Sequence, residues 1–310
     1  MMWIPSRSAF RAGLILGNQW DIVGEGSGAI GFNNSATGDA SFAAGGNNTA
    51  AGLRSIAIGD QNSATNQASI AIGSAVQASE LGAIAIGTNF STATGIYSVA
   101  IGSGVSSSGY IALATGHATT ASGNYSTAMG RTVSTNAQEG SFIYGDATSV
   151  YTGNSAANQF MVRASGGTVF YSSSDLSTGV TLAAGGGAWA SISDSNRKAN
   201  RLNIDGEAVL NKLSNIWLGS WNYKTQDKTM RHYGPMAQEF FAAFGNDGLG
   251  VIGNDTTLAT SDVDGVTLIA VKALIERNDA LTSRVELLEA VIRKMAGSQD
   301  ATIQKALLVK

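Results

Sequence analysis

Cysteine is absent from this 310-residue chain, so neither a disulfide framework nor a thiolate metal site can form, and the redox compartment stays open. Proline occurs only at Pro5 and Pro235, which excludes a proline-rich linker, and the 39 glycines follow no G-x-y triplet, which excludes collagen. No lysine precedes Lys198, and residues 27–154 hold only seven charged side chains. The net charge of −3 offers no attraction to nucleic acid or to an anionic membrane, and neither is expected as a partner. No apolar run approaches a membrane span, so no membrane insertion is expected. In "MMWIPSRSAFRAGLILGNQW", Arg7 and Arg11 interrupt what would be the apolar core of a signal peptide. The chain is therefore expected to be a piece of a longer exported protein or part of a particle assembled inside a cell.

What is present is a repeat. From Ser27 the chain divides into nine units, seven of fourteen residues and two of fifteen, such as "SIAIGDQNSATNQA" and "SVAIGSGVSSSGYI". Each unit has glycine at its fifth position, from Gly31 through Gly87 to Gly145, and eight of nine have alanine at the third. The opening five residues alternate as a strand does, and glycine ends them where the backbone must turn sharply or adopt positive φ. A second short polar stretch, often with an alanine near the tenth position, returns the chain. One unit is too small to bury a core, so identical rungs must stack, and fourteen residues make a flattened, two-sided coil. Recurrent glycine excludes an alanine-rich helix, and strict phase over nine units argues against low-complexity disorder.

These S-x-A-I-G units resemble the head repeats of trimeric autotransporter adhesins of the Yersinia type. The resemblance implies a left-handed parallel β-roll, three rolls side by side in a homotrimer, and adhesion to an unknown surface glycan or protein receptor. The scarcity of charge, with Ile and Val outside the glycine turns, fits a flank buried against copies of the same chain. His117 has no carboxylate or serine partner at a telling spacing and is read as a surface rung residue.

Residues 155–192 lose the period but stay strand-like in "QFMVRAS", "GTVFYSS" and "GVTLAAG", a connector without evident chemistry. The "GGG" at 185–187 lacks the helix and lysine of a phosphate loop. From Ser193 onward the composition changes to 14 acidic and 14 basic residues, against 8 and 5 before it. "DGEAVLNKLSNI" predicts a helix from Asp205 or Gly206, with Val209, Leu210, Leu213 and Ile216 on one face. "WLGSWNYK" reads as a strand. "GPMAQEFFAAFG" predicts a helix opening at Pro235 and ending at Gly245, with Met236, Phe240 and Phe244 as core. "SDVDG" at 261–265 lacks the further ligands of a calcium loop and is read as a turn and cap at Asp264-Gly265. A last helix is expected from Val266 to Ala296, stopping at Gly297. Its heptads place Val271, Asn278, Val285 and Ile292 at a, and Leu274, Leu281, Leu288 and Met295 at d. Local rules favour two strands, but one fibre must share one symmetry axis, and three are expected.

Ser193 and Lys198 lie five residues apart in "SDSNRK". A lysine desolvated enough to be neutral can take a serine proton without a histidine. Most pairs at this spacing are loop residues, so spacing alone decides nothing. However, "SDSNRK", "WNYK", "RHYGPMAQEF" and "DVDGVTLIAVKALIERN" before a coiled coil resemble, in order, the C-terminal intramolecular chaperone of endosialidase-type phage tailspikes. The resemblance implies a domain that trimerises, guides folding of the preceding β-fibre and then cuts itself off just before the serine. It makes Ser193 the nucleophile, Lys198 its base and Ile192–Ser193 the scissile bond, with Asp194, Arg197 and His232 as candidate supporting residues. The family often has Arg-Leu before the lysine, where this chain has Asn196-Arg197.

The expected architecture is mainly β with an α+β C-terminal part, as a homotrimer. It comprises a lead-in (1–26), a β-roll head (27–154), a β connector (155–192), a chaperone domain (193–265), a coiled-coil helix (266–297) and a tail (298–310). The expected function is that of an extracellular fibre, on a bacterial surface or a virion tail, matured by one autoproteolytic Ser-Lys cut. No cofactor or metal is expected. The alternative is an adhesin tip whose C-terminal domain stays as a trimerisation cap. A polysaccharide-degrading tailspike is disfavoured, because paired carboxylates and a catalytic domain are missing.

Overall fold

The computed structural model describes residues 1–307, with side chains through residue 296. The chain divides into two units, one of residues 1–170 with 180–190 and one of residues 171–179 with 191 onward.

The first unit is a β-solenoid. Its long sheet has twelve strands. Met2–Ile4 pairs antiparallel with Ala9–Leu14, and every later strand lies parallel on the one before, through Gly28–Phe32 and on to Phe160–Arg163. A second sheet of nine two-residue strands, from Ser35–Ala36 to Thr152–Gly153, closes the other side. Identical residues stack in register: Ala85 faces Ala71 and Ala100, and Gly87 faces Gly73 and Gly102. The alternation works as the repeat demands. Third- and tenth-position alanines, such as Ala57 and Ala64, are fully buried between the sheets, while Ile30, Ile86 and Ile101 point outward. An alanine core lets the two sheets lie close, which is why the coil is flat.

The fifth-position glycine is required twice over. Gly59 has φ +119, and a Cβ there would lie 2.0 Å from the Gly73 carbonyl oxygen of the next rung. The interior also contains polar groups, and three of its asparagines are paired in series. Asn62 Nδ2 donates to Ile58 O and Gly73 O, both at 2.8 Å, and also to Asn48 Oδ1 at 2.9 Å. Asn34, Asn48 and Asn62 thus form a ladder that satisfies carbonyls at the turn.

The stacking is longer than the repeat suggested. It begins at Ala9, ahead of Ser27, and ends at Arg163, beyond Asn154. Both outlying rungs are disguised by an arginine. In Ala9-Phe10-Arg11-Ala12-Gly13, Arg11 occupies the alanine position and pairs in register with Ala29. At the other end Arg163 occupies the glycine position and pairs with Gly145. Arg11 is fully buried and donates to Phe10 O, Ser27 O, Ser27 Oγ and Ala36 O. Its burial pushes its pKa down. Arg163 donates to Arg131 O, Asp146 O, Thr148 O, Val150 O and Thr152 Oγ1, and pairs with Asp146 at 3.2 Å. At each end a guanidinium donates to several backbone carbonyls of its own and the adjoining turns.

Beyond the solenoid, Thr168–Tyr171, Gly179–Leu182 and Trp189–Ser191 form a three-stranded sheet. In the second unit α1 spans Gly206–Asn215, capped by Asp205, whose carboxylate accepts from Glu207 N at 2.9 Å. The helix α2 spans Ala237–Phe244, starting after Pro235 rather than at it, with Met236 as the N-cap. Val209, Phe240, Phe244 and Ala270 form a small core with Leu210, Leu213, Ile216, Val263, Val266 and Ile269 around it. The "WLGSWNYK" strand is short, Gly219–Trp221, and pairs antiparallel with His232–Gly234.

The last helix, α3, runs from Thr260 to Leu307. It therefore starts before Val266, takes in "SDVDG" where a turn and cap were expected, and passes Gly297 where a stop was expected. Gly265 in a helix interior loses only about 1 kcal/mol relative to alanine, too little to oppose a helix with continuous flanking propensity. Residues 308–310 of the expected tail lie outside the described residues. Arg277 on α3 is hydrogen-bonded to Glu207 on α1, which raises the arginine pKa and ties the two helices. Among the described residues no helix is long and apolar enough to cross a membrane.

Candidate functional site

Ser193 and Lys198 meet. A short 3-10 turn, Ser195–Arg197, folds the chain back between them, and Lys198 Nζ donates to Ser193 Oγ at 2.7 Å. The local sequence explains the turn. Asp194 is its N-cap: Oδ1 accepts from Asn196 N at 2.9 Å and from Asn196 Nδ2 at 3.0 Å, and its carbonyl accepts from Arg197 N at 3.0 Å. Arg197 Nε also faces Asp194 Oδ2 at 4.0 Å, a loose and exposed pair. Asp194 and Asn196 thus build the loop that sets the serine–lysine distance.

In this contact a protonated lysine donates to the serine oxygen. A neutral lysine at the same separation accepts from the serine O–H, the arrangement general-base chemistry needs. Ser193 and Lys198 are both exposed in the single chain, whereas a neutral amine requires removal from water.

His232 sits elsewhere in the second unit. It lies on the short hairpin, tilted against the Trp221 ring with centroids 4.7 Å apart, and its Nε2 is 2.9 Å from Gln226 Oε1. Among the described residues no hydrogen bond or ring contact joins it to Ser193 or Lys198. It props the aromatic hairpin with Trp221 and Tyr223. His117 is an exposed rung residue in register with Ser103 and Arg131.

One element next to the pair is legible in the sequence only as the separator "SSDLSTG" between two strands, without its contacts. The stretch Ser172–Gly179 is a tight hairpin inside the second unit, closed by Ser172 N donating to Thr178 O at 3.0 Å. Ser173 Oγ accepts from Ser177 N and Thr178 N, each at 3.0 Å, and Asp175 Oδ1 accepts from Ser177 N at 3.0 Å. The hydrogen bonds from Ser177, then Ser173, hold the Asp175 carboxyl down to about 2. The available signal was "SSDLSTG", whose Ser and Asp side chains can bond backbone two residues on.

Two family models match. Residues 50–75, 64–89, 78–104 and 107–131 match the YadA head domain repeat, and residues 193–249 match the chaperone of endosialidase. The second match begins at Ser193. No curated protein matches the chain.

Proposed function

We propose that this chain is a homotrimeric surface or virion fibre whose C-terminal unit assembles and registers the β-roll, then severs itself at Ile192–Ser193. The 2.7 Å contact between Lys198 Nζ and Ser193 Oγ carries the reading, supported by the two matches. The outward Ile30, Ile86 and Ile101 give each roll an apolar face suited to other copies. On α3, Val271, Leu274, Leu281, Val285, Leu288 and Ile292 are all exposed in the single chain, as a helix awaiting coiled-coil partners requires. Adhesion to a surface receptor follows from the likeness of the head repeats to those of adhesins.

The cut proceeds within one chain. Ser193 Oγ attacks the Ile192 carbonyl carbon while its proton passes to neutral Lys198 Nζ. The carbon–nitrogen bond then breaks, and Lys198 returns the proton to the Ser193 nitrogen. Ile192 is left as an ester on Ser193 Oγ, beside a free α-amine. Water hydrolyses the ester, leaving a carboxylate on Ile192 and restoring the Ser193 hydroxyl. Because Ser193 and Lys198 are exposed in one chain, the desolvation that neutralises the amine comes from the neighbouring chains, so assembly precedes cutting.

The test is the intact mass of purified full-length protein. Wild type yields one fragment ending at Ile192 and one beginning at Ser193, whereas Ser193→Ala and Lys198→Ala remain whole. A correctly trimeric wild type that stays whole leaves the C-terminal unit as a permanent cap.

A further inference from the structure

The Ser172–Gly179 hairpin touches the chain on both sides of the bond assigned to cleavage. On one side Ile192 N donates to Gly179 O at 3.3 Å. On the other Arg197 Nη1 donates to Ser177 O at 3.2 Å and Leu176 O at 3.4 Å. Between these anchors lie the Ile192–Ser193 peptide and the turn that returns Lys198 to Ser193. The hairpin is braced by its own side chains. It is cross-linked by Ser173, Asp175 and Ser177, with Leu176 turning the chain at φ +59.

We propose that Arg197 is a positioning residue for the self-cleavage, clamping the Ser172–Gly179 hairpin so that it holds the Ile192–Ser193 peptide in place against the Ser193–Lys198 pair. The proposal rests on the cleavage reading and adds an element that lies upstream of the family match. A reaction in which a serine attacks its own preceding carbonyl needs no substrate pocket. It needs the carbonyl carbon and the Oγ held at one approach, and small losses of position cost large factors in rate. Backbone on both flanks of the bond must therefore be fixed. Asn196 and Arg197 each have a part in this: Asn196 braces Asp194 inside the turn, and Arg197 fastens the turn to the hairpin. Arg197 touches no reacting atom, so its effect is on rate and not on which groups titrate.

The experiment measures the first-order cleavage rate of assembled full-length trimers as a function of pH. Arg197→Ala is expected to slow cleavage about tenfold, the loss of one charged hydrogen-bond anchor. Arg197→Lys should recover part of the rate, because an ammonium also donates to carbonyls. Both should leave the pH at half-maximal rate and the melting temperature of the trimer where they are in wild type. Arg197→Ala cutting at the wild-type rate overturns the proposal, and so does a shifted pH profile, which would give Arg197 an electrostatic role instead. Hydrogen exchange separates this from the cleavage reading itself. In uncut Ser193→Ala trimers, adding Arg197→Ala should speed exchange of the Ile192 amide at least tenfold, and unchanged exchange contradicts the clamp. Faster exchange together with an uncut wild type keeps the clamp and discards the peptidase.

Discussion

The two halves of this molecule are specified by opposite means. The roll is determined by backbone geometry: stacked glycines, a core of alanine, buried asparagines and almost no charge. The C-terminal unit has a small side-chain core around Phe240 and Phe244, with much apolar surface left exposed. A rung looks like every other rung, so in the proposed trimer nothing local would tell the chains which rungs belong side by side. A helix with one asparagine among its heptad a positions does define register. On the proposed function, that difference gives a uniform shaft a non-uniform assembly tool at its end, one that a cut would remove once the shaft is locked.

Substitutions at four positions sharpen or break this contrast. The largest effect is expected from Gly59→Ala, which combines positive φ with a 2.0 Å approach to the Gly73 oxygen. It should cost about 3 kcal/mol or more in a thermal or denaturant melt of the roll. Next is Arg11→Ala, which empties the space of a fully buried side chain at the first rung and should cost about 2–3 kcal/mol. The loss should appear as faster hydrogen exchange over residues 9–36, with Arg11→Met recovering part of it. Smaller still is a pH effect at the opposite end. Hydrogen bonds from Ser165 and Thr148 hold the Asp146 carboxyl well below its ordinary value. A depressed folded pKa contributes stability above the unfolded value, about 3.9, and loses it as the pH falls below that. Acid melts should therefore weaken around Arg163 first, and Asp146→Asn should flatten that dependence. The smallest change, of opposite sign, is Gly265→Ala: it sits in α3 with open space around its would-be Cβ and should gain about 1 kcal/mol. If Gly59→Ala were as mild as Gly265→Ala, the contrast between backbone-made and side-chain-made halves would fail.

The roll was readable because its period is enforced at turn after turn by the same contact, as Gly45, Gly59 and Gly73 each show with the glycine carbonyl of the following rung. Its ends were not, because the arginine that closes an end must replace the residue that marks a rung. Arg11 stands where alanine would, and Arg163 stands where glycine would. The asparagine ladder was hidden for a different reason: Asn48 and Asn62 look like ordinary turn residues until stacking buries them. In the candidate site, the closeness of Ser193 and Lys198 follows from the Asp194 cap, which is local and legible. The hairpin that brackets them is distant in sequence, and its contacts run to backbone carbonyls that leave no residue signature. His232 matched by position, yet its ring contact with Trp221 ties it to the aromatic hairpin.

The most direct test follows cleavage and assembly together. Uncut chains, isolated in denaturant before they can assemble, are refolded over a range of concentrations, with trimer fraction read by native mass spectrometry and fragment fraction by denaturing mass spectrometry. The account predicts that fragments ending at Ile192 arise only from trimers, with the cut fraction trailing the trimer fraction at every concentration. Monomers cut as fast as trimers, or trimers never cut at all, would contradict it.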